Sequence, residues 1–151
     1  MENNLLKDYF ISNKLTLGSV ESFTGGAFAS HITKIPGASN FYKGSIITYA
    51  TEIKENILGI SHDLVEKHGV VSAEIAHEMA LKGRELLNVD ICVSFTGNAG
   101  PSAMEDKPVG LVYIGIADKN GVKVHDYLLK GNRCEIQQEA ISIVENILKK
   151  M

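Results

Sequence analysis

The chain has 151 residues, of which 44% are hydrophobic and 22% charged, with no Trp and a formal net charge of −3. A folded chain of this length removes about 70% of its unfolded surface from water, so one core suffices without a disulfide or metal staple, and a single domain spanning 1–151 is expected. No apolar run approaches the roughly 20 residues that cross a bilayer, and the N-terminal segment lacks the basic and apolar blocks of an export signal; a cytoplasmic location without a membrane partner is expected. The 15 Lys and Arg face 18 Asp and Glu, with no basic cluster beyond Lys149-Lys150, which argues against a nucleic-acid partner. Cys92 and Cys134 share no CxxC spacing and read as buried free thiols, and the five histidines form no i, i+4 pair, so no metal site is expected.

Leu5, Leu6, Tyr9 and Phe10 repeat at helical spacing and predict a helix over 3–12, ended by Asn13. A strand over 15–20 follows and runs into Glu21-Ser-Phe-Thr-Gly-Gly26, after which Ala27, Phe28, Ala29 and Ile32 start a second helix. Pro36 and Gly37 end it, and the loop after them carries Ser39. The β-branched run 45–50 predicts a strand with Tyr49 at its end, and Thr51 then caps a short helix bearing Lys54. Ser61 opens another short helix, with His68 in its last turn and Gly69 closing it. Ser72 caps the clearest amphipathic helix, in which Ile75, Ala76, Met79, Ala80 and Gly83 share a face, and Asn88 ends it.

Residues 90–96 alternate as a strand that stops at Gly97, and 97–108 is the longest stretch without periodicity, a loop of functional size. Strands at 109–117 and 122–129 flank Asn120-Gly121, a tight-hairpin signal, and Ile136 to Leu148 form the closing helix. Helices interleaved with strands predict an α/β class domain, a three-layer α/β/α sandwich. The hairpin adds antiparallel strands, so the central sheet should be mixed.

Several segments could carry chemistry. Ser22, Thr24, Gly25 and Gly26 lie where a strand hands over to a helix, so backbone N–H groups and short hydroxyls converge on a spot suited to an anion; a plain helix cap with glycines easing a tight turn is the alternative. Ser39, Tyr49 and Lys54 form a second set, since a serine hydroxyl needs a base and a desolvated lysine can serve. Its alternative is a loop cap, a half-buried tyrosine and a solvated lysine. Thr96 and Gly97 open a third segment, which with Lys107-Pro-Val-Gly110 has the makeup of a crevice wall. His68 suits a helix C-terminus, where a structural role competes with a catalytic one. Arg133 reads as a phosphate clamp or as a surface salt bridge.

In this order, Glu21-Ser-x-Thr-Gly-Gly26, Pro36-Gly-x-Ser39, Tyr49 with Lys54, His68-Gly-x-Val-Ser72, Thr96-Gly-x-Ala-Gly-Pro101, Lys107-Pro-Val-Gly110 and Gly131-x-Arg133 resemble the CinA C-terminal domain family across nearly the whole chain. The family includes stand-alone nicotinamide-nucleotide amidohydrolases. The resemblance implies hydrolysis of the carboxamide of nicotinamide mononucleotide to nicotinate mononucleotide and ammonia, without metal or other cofactor, by a homo-oligomer acting on a small nucleotide. It implies Ser39, Tyr49 and Lys54 as the catalytic group, with Ser39 attacking the amide, Lys54 as base and Tyr49 assisting proton transfer. Ser22 is the rival nucleophile. The turn Ser22 to Gly26 and the segment Thr96-Gly97 then share the oxyanion and the phosphate in an order left open. A nucleotide-binding or regulatory module without turnover is the alternative reading. Phe23, where relatives often have cysteine, and Asn98, the Ser102 to Asp106 loop and Gln137 depart from the usual pattern and touch the expected pocket wall and phosphate clamp.

Overall fold

A computed structural model describes residues 4–151. Its elements are α1 (Leu5–Ser12), β1 (Leu17–Glu21), α2 (Ala27–Thr33), a 3-10 turn (Ala38–Asn40), β2 (Tyr42–Ile47), α3 (Thr51–Asn56), α4 (His62–His68), α5 (Ala73–Leu87), β3 (Ile91–Gly97), β4 (Leu111–Asp118), β5 (Gly121–Leu128) and α6 (Arg133–Lys149). The sheet order is β2-β1-β3-β4-β5. β1 pairs parallel with both β2 and β3, whereas β4 is antiparallel to β3 and β5, so the sheet is mixed as its hairpin required.

Two cores flank this sheet. On one face Leu6 and Phe10 of α1, Phe28 and Ile32 of α2, and Ile136, Ala140 and Val144 of α6 pack against Val93, Phe95 and Ile114. The opposite face buries Ile75 and Met79 of α5 with Val20 and Cys92. Alternation along the strands sends Cys92 to one core and Val93 to the other, which is the period-two rule acting on a sheet covered on both sides. Gly115 permits the close seat of α5, because a Cβ there would lie 2.6 Å from the Ala76 carbonyl oxygen and from Ser94 Oγ. Of the two cysteines Cys92 is buried as expected, but Cys134 is exposed, because it lies in the first turn of α6 outside the packed stripe.

Several boundaries move from their sequence positions, each for a local reason. The first predicted helix begins at residue 3, which lies outside the described residues; from Leu5 it follows an Asn4 cap. β2 starts and ends earlier than the 45–50 run, because main-chain pairing with β1 carries Leu17 to Tyr42 and finishes at Glu21 and Ile47. Tyr49 therefore sits beyond the strand. Thr51 is the first residue of α3 rather than its cap, which falls at Ala50. α6 begins three residues before Ile136 because Asn132 and Glu135 form a reciprocal capping box.

Candidate active site

Strand order places the site. β1 lies between β2 and β3, so the chain leaves β1 toward one side and returns to the other, and a crevice opens outside the carboxyl ends of β1 and β3. Glu21 and Phe95 are register partners there, so Ser22 emerges beside Thr96 and Gly97. The cleft at this point measures about 300 Å3 and is lined among others by Ser22, Tyr49, Lys54, Thr96, Gly97 and Arg133.

At its floor the Lys54 ammonium donates to Ser22 Oγ at 2.9 Å and to the Thr48 carbonyl at 2.6 Å. Lys54 is 1% exposed and Ser22 8% exposed. Burial pushes the Lys54 pKa down from 10.5 to about 8, while the Glu105 carboxylate pulls it the other way. A lysine so placed holds a useful neutral fraction near physiological pH and can take a hydroxyl proton.

Ser39 is not part of this constellation. It lies exposed in the 3-10 turn before β2, at the amino ends of the parallel strands, in a hollow with Tyr42 and Lys43. The sequence grouped Ser39 with Lys54 by a serine's need for a base and by motif order, but the length of β2 separates them, and Lys54 reaches Ser22 instead. Tyr49 does line the cleft, at its mouth and 63% exposed.

The turn after β1 also departs from its expected use. The buried Glu21 carboxylate accepts from the amides of Gly26, Phe28 and Ala29 and from Ser45 Oγ. The anion at the start of α2 is thus the protein's own side chain. Gly25 and Gly26 adopt φ of 59° and 103°, the left-handed geometry that lets the chain double back toward Glu21. Ser22 N–H donates to the Phe95 carbonyl and Gly25 N–H to the Ser22 carbonyl.

On the facing wall Thr96 Oγ1 donates to the Val70 carbonyl, which commits its proton to structure. Asn98 is buried and its amide group donates to the Lys107 carbonyl, which braces the loop. Glu105 accepts from the amides of Val70 and Val71, and Lys107 Nζ donates to the carbonyls of His68 and Val71. These two side chains strap the long loop to the end of α4 and the segment after it; His68, the last residue of α4, also lies 3.7 Å from Glu74. Composition made Glu105 look like an ordinary loop acid, and nothing in the local pattern marked it. Arg133, at the first turn of α6, is exposed, lines the cleft and has no ion pair among the described residues. Gln137, one turn further on, donates from Nε2 to the Phe23 carbonyl at 2.8 Å. Among the described residues no group of three His, Cys, Asp or Glu side chains converges as metal ligands would, and no helix is long and apolar enough to cross a membrane.

A mixed α/β sandwich with a buried serine–lysine pair at the switch point of its sheet defines the class. The chain belongs to the CinA C-terminal domain family, whose model matches residues 2–151. A CinA-like protein of Prochlorococcus marinus is 42% identical over 152 residues, covering 96% of this chain and 34% of its own length. This chain thus spans about a third of the first curated relatives it matches, although a Mycoplasma pneumoniae protein, 37% identical, is covered over 99% of its length. The crystal structure of a competence-damaged protein (CinA) superfamily member from Escherichia coli superposes with a TM-score of 0.93 at 27% identity, covering 98% of this chain and 89% of that one.

Proposed function

We propose that the cleft hydrolyses the carboxamide of nicotinamide mononucleotide, with Ser22 as nucleophile and Lys54 as its base. The observation that carries this reading is the 2.9 Å contact between a buried lysine and a buried serine. Neutral Lys54 removes the Ser22 hydroxyl proton as Oγ bonds to the amide carbon and the carbonyl π pair moves to oxygen. The tetrahedral species collapses, the C–N bond breaks, and the leaving nitrogen departs as ammonia with the proton from Lys54. Water then attacks the ester, gives its proton to Lys54, and Ser22 leaves with that proton restored. Tyr49 at the mouth borders the substrate, and Arg133 offers its guanidinium fork to the phosphate.

Incubation with nicotinamide mononucleotide should release ammonia and nicotinate mononucleotide from the wild type and none above background from Ser22→Ala. Equal release by both proteins would remove Ser22 from the reaction. Binding without release by the wild type would favour a nucleotide-binding module.

A further inference from the structure

The turn that carries Ser22 holds donors that the protein itself leaves unused. Of its amides, Ser22, Gly25 and Gly26 donate to Phe95, Ser22 and Glu21 respectively. Phe23 and Thr24 N–H have no acceptor among the described residues, and Thr24 Oγ1 is buried without a hydrogen-bond partner. Ser22 Oγ accepts from Lys54 Nζ and from neither of these amides. Leaving a buried donor unmatched costs roughly 1–3 kcal/mol. An unmatched set beside an activated hydroxyl is where a negative oxygen is favoured during attack.

Both free amides belong to peptide planes that are held from their carbonyl ends. In a trans peptide the C=O and the next N–H point in opposite directions, so fixing one aims the other. The Ser22 carbonyl is held by Gly25 N–H within the turn, which sets Phe23 N–H. The Phe23 carbonyl is held by the Gln137 side chain from α6, which turns Thr24 N–H away from that helix.

Resting on the serine–lysine reading above, we propose that Phe23 N–H and Thr24 N–H form the oxyanion hole, and that Gln137 is its positioning residue. During attack the former carbonyl oxygen carries the displaced electron pair and accepts from both amides; on collapse it returns the pair to re-form C=O. Gln137 touches no reacting atom and acts only by holding the Phe23–Thr24 plane.

The test compares wild type, Gln137→Met, which keeps the side-chain bulk without a donor, and Gln137→Lys, which restores one. Two readouts are taken: ammonia release from nicotinamide mononucleotide, and the rate at which a neutral alkyl fluorophosphonate labels Ser22, located by mass spectrometry. In labelling, Lys54 takes the Ser22 hydroxyl proton as Oγ bonds to phosphorus, fluoride leaves, and the phosphonyl oxygen needs the same donors. Gln137→Met should lower kcat and the labelling rate about tenfold with KM little changed, less than the loss of a whole oxyanion donor. Gln137→Lys should recover most of the labelling rate, where substrate charge plays no part. Labelling of Gln137→Met at the wild-type rate would overturn the inference. Labelling of Ser22 without ammonia release would sink the substrate reading alone and leave the Gln137 comparison to decide this one, whereas no labelling of wild-type Ser22 would overturn both the hole and its nucleophile.

Discussion

The two ends of the parallel strands each present a serine, a tyrosine and a lysine, and they differ in what those side chains touch. At the carboxyl end Ser22 and Lys54 are buried and in contact, with Tyr49 at the rim. At the amino end Ser39 and Lys43 are exposed beside Tyr42, whose hydroxyl is bonded to Ser19 Oγ at 2.8 Å and pushed up by burial to a pKa of about 12. The hollow there, about 570 Å3, is larger than the 300 Å3 cleft, so volume does not distinguish the two. Desolvation of the amine does. A lysine in water stays charged and cannot accept a proton near pH 7, whereas a buried one touching a hydroxyl can.

The comparison can be broken most directly by substitution at both serines. Ser22→Ala and Lys54→Met should each lower kcat by about a thousandfold or more, and Ser39→Ala should leave it within about twofold, in initial-rate assays with nicotinamide mononucleotide. The reverse ranking would move the nucleophile to the amino end.

Lys54 also separates function from stability. Its folded pKa near 8 lies below the unfolded 10.5, a difference equivalent to about 3 kcal/mol opposing folding at neutral pH. Between pH 8 and 10.5 the unfolded chain holds the extra proton, so stability should rise with pH across that window, and the full penalty applies below it. Lys54→Met should therefore melt higher than wild type at pH 7 while inactive, and its advantage should shrink as pH rises toward 10.5. A lower melting temperature at pH 7 would show that the Ser22 and Thr48 bonds outweigh desolvation.

A third measurement sharpens the electrostatics. Wild-type kcat/KM should climb as Lys54 loses its proton, with a midpoint near 8. Glu105→Gln keeps an acceptor for one of the Val70 and Val71 amides but removes the charge that favours protonated Lys54, so the midpoint should move to lower pH. An unmoved midpoint would mean that Glu105 only ties down its loop. The smallest effect is expected at the rim, where Arg133→Gln should raise KM about tenfold with little change in kcat. A fall in kcat alone would place Arg133 at the reacting atoms.

The fold was largely legible because its signals are strong ones. Period-two alternation around Val93, the long amphipathic stripe of α5 and the Asn120-Gly121 hairpin each act over a few residues, so they survive translation into structure. Of the residues that motif order singled out, Ser22, Thr96, Gly97, Arg133, Tyr49 and Lys54 line one cleft, whereas Ser39, Thr24, Gly25 and Gly26 do not. What the sequence did not reveal depends on long-range geometry. Whether Lys54 meets Ser22 or Ser39 is decided by which end of β2 each lies on, and spacing in the chain carries no such information. Gln137 reaches Phe23 across 114 positions, and Glu105 reaches Val70 across 35. The capping box of Asn132 and Glu135 is local, yet apolar periodicity starts the helix only at Ile136 and leaves the box unread; it places Arg133 at the start of α6.

Glu21 has a further consequence, for the orientation of anything that enters the cleft. The turn after β1 has the shape of a phosphate cradle, but its seat at α2 is filled by a tethered carboxylate that cannot diffuse away. A phosphate brought to the start of α2 would find the Gly26, Phe28 and Ala29 amides already taken by a negative charge, whereas Arg133 at the rim has no ion pair among the described residues. On the proposed reading, the substrate's anionic tail would be turned outward toward α6 and its uncharged head inward toward Ser22. A ligand of the same outline but with its charge at the other end should bind more weakly, because Glu21 already occupies the amides at the start of α2.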